Sequence, residues 1–217
     1  MKLWDADARA AHVDEVLGRA PVLPVLSVSR LEDAVPLART LVENGLPVLE
    51  LTLRTEVALD AIHAIRHAVP QAIVGAGTVL DATGLAAAAE AGAQFAISPG
   101  ASEALYAAAE HSPLPWIPAV ASASEIMRGL ERGHRRFKFF PAESSGGVGA
   151  LRSFAGPFAS VRFCPTGGID AGSAPRYLSQ ANVITVGGSW MVPGEALRAR
   201  DWASIGVLAR ACAALRP

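Results

Sequence analysis

Residues 47–79 read PVLELTLRTEVALDAIHAIRHAVPQAIVGAGTV. Leucine recurs at 49, 51 and 53, the period of a strand, which leaves residues 50, 52 and 54 together on the opposite face. Beyond Thr55 the apolar positions Ala58, Ala61, Ile62 and Ile65 fall three and four apart, the period of a helix. A second apolar run, AIVGAGTV, begins at Ala72 after Pro70. Strand, helix and strand in so short a span make a βαβ unit, whose two strands are parallel.

The same unit repeats along the chain. Short apolar runs begin at Val22, Pro47, Ala72, Ala93, Pro115, Arg135, Val161 and Asn182, spaced 20 to 26 residues apart. Helical segments separate them at 31–45, 55–69, 82–92, 102–111, 122–133, 146–154 and 173–178, and a last helix is expected over 194–212. Gly45, Gly92 and Gly133 stand where left-handed helix caps are needed. Residues 6–18 read as one further helix ahead of the first strand. Eight alternating units with no linker predict a (β/α)8 TIM barrel with an extra N-terminal helix. The 217 residues then form one domain, with the helix in 1–20 and the barrel in 21–217. A doubly wound open sheet is the alternative, but no G-x-G-x-x-G follows the first strand.

Composition narrows the function. With 51% hydrophobic residues, 18% charged and a net charge of −1, the chain does not have the makeup of a disordered one. Nineteen basic residues face 20 acidic ones and no basic run exceeds Arg135-Arg136, which argues against nucleic acid as a partner. Cys164 and Cys212 are too few for a disulfide framework and cannot build a zinc site without histidines. His63 and His67, the one close histidine pair, fall on the outer face of a helix. No apolar stretch reaches the roughly 18–20 residues a membrane span needs, and the acidic N-terminal turns do not resemble a signal peptide. The expected compartment is the cytoplasm.

Seventeen of the basic residues are arginine and two are lysine, Lys2 and Lys138. Lys2 stands at the start of the chain, whereas Lys138 sits inside RRFKFFPA (135–142), an aromatic run that reads as a buried strand. In a barrel alternate strand residues face inward, and chemistry gathers at the strands' C-terminal ends. If Phe137 and Phe139 face the helices, Lys138 and Phe140 face in, where Glu50 and Arg54 also point and, in the third strand, Ala76 and Thr78. A buried lysine beside a glutamate is as a rule an ion pair of little net worth. Here both groups point to the functional end. A lysine amine shielded from water can attack a carbonyl and form a Schiff base, an electron sink for carbon–carbon cleavage. Glu50 is the base within reach, Arg54 is a fork for a substrate carboxylate, and the Thr78 hydroxyl adds a hydrogen bond. CPTGG (164–168) and VGGS (186–189) end the seventh and eighth strands, where barrels commonly bind phosphate.

These residues resemble a known family. VLELTLRT (48–55), VGAGTV (74–79), AGAQFAISPG (91–100), RFKFFPAE (136–143), FCPTGGI (163–169) and VGGSWMVP (186–193) are similar to 2-keto-3-deoxy-6-phosphogluconate (KDPG) aldolase. That family, of the Schiff-base class, is often bifunctional with 4-hydroxy-2-oxoglutarate (KHG) aldolase. The resemblance spans about residues 20–195. It implies Lys138 as the Schiff-base lysine and Glu50 as the general acid–base. It also implies Arg54 and Thr78 at the pyruvate carboxylate, and Pro99 and Phe140 as pocket walls. Thr166, Gly167, Gly168 and Ser189 then receive the substrate's hydroxyls and phosphate. The implied reaction cleaves KDPG to pyruvate and glyceraldehyde 3-phosphate in the Entner–Doudoroff pathway, with no cofactor, no metal and a homotrimeric assembly. One departure is Ala119, where the family pattern has glycine. The resemblance leaves open whether Arg30 approaches the phosphate.

Three other readings stand beside this one. An aldolase for the galactonate epimer would share the lysine and the glutamate. A sugar-phosphate isomerase or epimerase would use Glu50 as base, form no imine and have no need of Arg54. A degenerate barrel would bind phosphorylated metabolites without turning them over.

Overall fold

The computed structural model describes residues 4–215, so Lys2 lies outside the described residues. The strands are β1 (Val22–Leu26), β2 (Val48–Thr52), β3 (Ile73–Gly77), β4 (Phe95–Ile97), β5 (Trp116–Ile117), β6 (Ala119–Val120), β7 (Arg136–Phe139), β8 (Arg162–Pro165) and β9 (Val186–Gly188). The helices are α1 (Ala6–Leu17), α2 (Leu31–Glu43), α3 (Ala58–Ala68), α4 (Ala82–Glu90), α5 (Glu103–Ala109), α6 (Ala123–Glu131), α7 (Gly147–Ala155), α8 (Ala174–Leu178), α9 (Gly194–Ala199) and α10 (Trp202–Ala213). All strand pairs are parallel. They form a six-stranded sheet in the order β5-β4-β3-β2-β1-β9 and a three-stranded sheet β6-β7-β8. Parallel bridges Phe163↔Val183 and Thr166↔Gly187 run from β8 and the residue after it toward β9.

Two departures from the sequence reading have local causes. The run expected as one fifth strand is split into β5 and β6 by Pro118, which has no N–H for a ladder. Its carbonyl nevertheless accepts the Lys138 N–H at 3.0 Å, tying the break to β7. The single last helix is instead α9 and α10, broken at Arg200, whose φ of 54° is left-handed. Asp33 and Glu32 at the start of α2 hold its guanidinium at 2.7 and 3.0 Å. The cap glycines behave as read: Gly45, Gly92 and Gly133 have φ of 91°, 86° and 79°.

The strands divide two apolar layers. Leu49, Leu51, Val74, Ala76, Phe137 and Phe139 pack with helix residues such as Leu37, Ile62 and Ile126. Ala76, expected to face in, is instead the register partner of Leu51, so that Gly75 and Gly77 share the face of Glu50. On the other face Leu23, Val48, Phe95, Ile97, Ile117 and Cys164 form a second cluster, joined by Val13, Val16 and Leu17 of α1. Asp5 caps α1 by accepting the Ala8 N–H at 2.7 Å. Asp14 then takes Arg136 as a fork at 2.7 and 2.6 Å, so that α1 covers the starts of β7 and β8. The opposite, C-terminal ends of the strands carry the polar residues discussed next.

Candidate active site

Glu50 is the middle residue of β2, where the alternation that buries Leu49 and Leu51 against helices turns it to the other face. Lys138 has the same relation to Phe137 and Phe139 in β7. The two faces meet: Lys138 Nζ donates to Glu50 Oε1 at 3.0 Å, with side-chain exposures of 6% and 0%. The Phe140 ring centroid lies 5.3 Å from Nζ, close enough for a cation–π contact. Glu50 Oε2 is buried and has no hydrogen-bond partner. An orphan carboxylate oxygen is costly in a dry interior, and here it belongs to the carboxylate that holds Lys138. Gly77 makes the arrangement possible, because a Cβ there would lie 2.2 Å from Glu50 Oε1. A glycine inside a strand is the sequence signal for such a close approach, and it is one that the sequence reading misses.

Ala119 and Cys164 flank Lys138 as its register partners in β6 and β8, both buried. Burial pushes the Cys164 thiol up to about 12, and the Glu50 carboxylate adds to this while Lys138 and a Thr166 hydrogen bond oppose it. The thiol is thus neutral packing rather than a nucleophile.

Arg54 leaves β2 through a tight turn, its N–H donating to the Thr52 carbonyl at 2.8 Å. Together with Ser27, Ser189 and Leu197 it lines a cavity of about 200 Å3. Thr78 follows Gly77 directly and has φ of 56°, a left-handed conformation that a β-branched residue adopts only under strain. Pro99 lines a second cavity, of about 370 Å3, with Val79, Leu80 and Ser102. Thr166 is buried and fits against Gly187, where a Cβ would lie 2.2 Å from its Oγ1. Gly167 and Gly168 have φ of 105° and 78°, so this turn needs glycine at both positions. Their loop is joined to the end of β7 by the Ala142 and Glu143 N–H groups, which donate to Thr166 and Gly167 carbonyls at 2.8 and 3.1 Å.

Arg30 is engaged elsewhere, its Nε donating to Asp33 Oδ2 at 2.7 Å. The His63 and His67 rings lie 4.3 Å apart, tilted by 42°, on the exposed face of α3. Among the described residues no three His, Cys, Asp or Glu side chains group to hold a metal ion. Cavity size alone does not mark the site. A cavity of about 500 Å3 lies at the other end, among Trp4, His12, Glu15 and the starts of β3, β4 and β5.

Comparison with known proteins gives the family. The family model for KDPG and KHG aldolase matches residues 13–208. The KHG/KDPG aldolase of Escherichia coli (strain K12) is 53% identical over 210 residues, 97% of this chain and 96% of the relative. The 2-dehydro-3-deoxy-phosphogluconate aldolase of Dickeya dadantii (strain 3937) is 51% identical over 97% of this chain and 96% of its own length. Among solved structures, the KDPG aldolase of Legionella pneumophila, with pyruvate captured as a covalent carbinolamine, superposes with a TM-score of 0.91 at 45% identity. That match covers 93% of this chain and 98% of that one. With about half of its residues shared across nearly its full length, the chain belongs to the KDPG and KHG aldolase family.

Proposed function

We propose that the protein is a Schiff-base aldolase that reversibly cleaves KDPG to pyruvate and glyceraldehyde 3-phosphate, and KHG to pyruvate and glyoxylate. The observation that carries the reading is the buried 3.0 Å contact between Lys138 and Glu50, whose second carboxylate oxygen has no partner. In the forward direction the Lys138 amine adds to the C2 carbonyl. With one proton taken up from solvent, loss of water from the carbinolamine leaves a protonated imine. Glu50, as carboxylate, removes the C4 hydroxyl proton; the C3–C4 bond breaks, the aldehyde departs, and the bonding pair moves into an enamine. Glu50 returns its proton to C3, and water hydrolyses the protonated imine to pyruvate and the free amine, releasing the proton taken up when the imine formed. Each proton that Glu50 takes is one that it gives back, so the cycle needs no redox partner.

The remaining residues position the substrate. Arg54 and Thr78 hold the carboxylate of the keto acid, and Pro99 and Phe140 wall the pyruvyl group. Thr166, Gly167, Gly168 and Ser189 receive the hydroxyls and the phosphate, which suits glycines that leave backbone N–H groups accessible. On this reading the two sheets close through the bridges between β8 and β9 into a single (β/α)8 barrel over residues 21–217, with 1–20 as an added N-terminal helix. The assembly is a homotrimer and the compartment cytoplasmic; among the described residues no helix is long and apolar enough to cross a membrane.

Borohydride reduction in the presence of pyruvate, followed by peptide mapping, tests the reading. A reduced pyruvyl adduct on Lys138, lost in Lys138→Arg, is the expected result. A folded wild-type protein that gains no adduct would return the isomerase and binding-protein readings to first place.

A further inference from the structure

We infer that Thr52 is the positioning residue of Arg54, and that it dictates which edge of the guanidinium the substrate carboxylate meets. This rests on the reading of Arg54 as the carboxylate-binding group.

Thr52 is the last residue of β2 and is 3% exposed. Its hydroxyl has one proton, which it donates to the Leu26 carbonyl at the end of β1, at 2.9 Å. With that proton committed, the oxygen presents only lone pairs to its other neighbour, Arg54 Nε, which donates to it at 3.1 Å. The orientation is therefore set by the chain and not by chance rotation. A second tether repeats the pattern one residue beyond the arginine: Thr55 Oγ1 donates to the Val28 carbonyl at 2.6 Å. Two threonines thus bracket Arg54 and fasten its turn to consecutive parts of the β1 exit, 26 and 27 residues earlier in the chain.

The consequence is chemical. A guanidinium offers a carboxylate either its Nε–Nη edge or its pair of terminal nitrogens. Thr52 occupies the Nε–H, so the terminal pair is what remains for the keto acid. Arg54 and Ser189 line one cavity, into which that end can reach. Without the hydroxyl, Nε has no fixed partner and the long side chain regains rotamers that must be frozen again on binding. The loss falls on the carboxylate end of the substrate and not on the aldehyde end.

The test compares the wild type with Thr52→Val and Thr52→Ser, each also in an Arg54→Lys background, since a lysine has no Nε–H for Thr52 to hold. Pyruvate affinity is read from the concentration dependence of borohydride trapping, and aldehyde-end affinity from inhibition by glyceraldehyde 3-phosphate. Thr52→Val is expected to raise half-saturating pyruvate about tenfold, Thr52→Ser to restore it to within about threefold, and glyceraldehyde 3-phosphate inhibition to stay put. In the Arg54→Lys background Thr52→Val should change pyruvate affinity less than about twofold. Unchanged affinity in Thr52→Val, or the same loss in the Arg54→Lys background, overturns the inference. If Thr52→Val does not fold, Thr52→Ala is measured in its place against the same outcomes. Failure of the underlying reading looks different: Arg54→Lys alone would then bind pyruvate as the wild type does, or the wild type would form no adduct.

Discussion

Alanine at position 77 would carry a methyl 2.2 Å from Glu50 Oε1, 2.6 Å from its Cγ and 2.8 Å from its Cδ. Ordinary contact begins at 3.4 Å, so the carboxyl must move by about 1 Å or more. Gly77 is not among the positive-φ glycines, so the effect is steric and not conformational. Glu50 is fully buried, and its displacement crowds the groups behind it, at a cost of about 1–3 kcal/mol. For a chain of this length that corresponds to roughly 2–4 °C of Tm per kcal/mol. The movement also opens the 3.0 Å contact with Lys138. An acid–base group put out of place should cost about 10²–10⁴ in kcat. Gly75→Ala is the control: its methyl would meet the Phe95 ring at 2.2 Å, an equal overlap whose nearest atoms belong to Phe95 and not to Glu50. Thermal unfolding and a coupled assay of pyruvate release on both variants separate the two effects. The expected pattern is two destabilised proteins, of which only Gly77→Ala loses turnover. A folded Gly77→Ala with kcat within about threefold of wild type would refute the placement of Glu50 in the chemistry.

Other perturbations read other parts of the site. Glu50→Gln should still form the trapped pyruvate adduct yet turn over about 10²–10⁴-fold more slowly, and undiminished turnover would remove Glu50 from its role. Thr78→Gly relieves a strained φ of 56°, so Tm should rise by the equivalent of about 1 kcal/mol while pyruvate binding weakens; a lower Tm would show that the conformation is not strained. The Cys164 thiol, pushed up to about 12 by burial, keeps its proton in the folded state while the unfolded chain releases it near 9. Unfolding then releases a proton, and the stability from this group, intact below pH 9, falls as pH rises from about 9 to 12. Cys164→Ala should flatten that decline in Tm, and native Cys164 should resist iodoacetamide at about pH 8, below its raised value. Rapid labelling of the folded protein would contradict its burial.

What the sequence disclosed depended on how costly each feature is. Parallel strands buried on both faces read as apolar runs, so the runs behind the nine strands were visible, the fifth as a single run where Pro118 makes two strands. A lysine among phenylalanines and a glutamate in mid-strand are expensive enough to stand out, and the structure brings both to one point. Features that depend on distant partners were hidden. The break at Arg200 needs Asp33 and Glu32, more than 160 residues away, to hold a left-handed arginine. Gly77 is an ordinary strand glycine until Glu50 of the neighbouring strand is seen against it. Thr52 reads as one inward residue of a β-strand, and only its two hydrogen bonds tie it to Arg54. Arg30, left open by the sequence, is held by Asp33.

These hidden contacts share a direction. At the strands' N-terminal ends, Val13, Val16 and Leu17 of α1 extend the apolar layer, and Asp14 is matched by Arg136 and Arg162. That end holds what a stable protein would choose. At the C-terminal ends the choices run the other way: an orphan carboxylate oxygen, a desolvated lysine, a β-branched residue at positive φ and glycines where a methyl would collide with functional side chains. Each of these lowers stability, and under the proposed function each keeps a group in reach of a bound keto acid or leaves room for it. A strand whose start is packed by a helix can tolerate an unfavourable end, because its register is already fixed by the residues that precede the site. Glu50, two residues beyond Val48 of the apolar cluster, and Lys138, two beyond the Arg136 that grips Asp14, are both placed in this way.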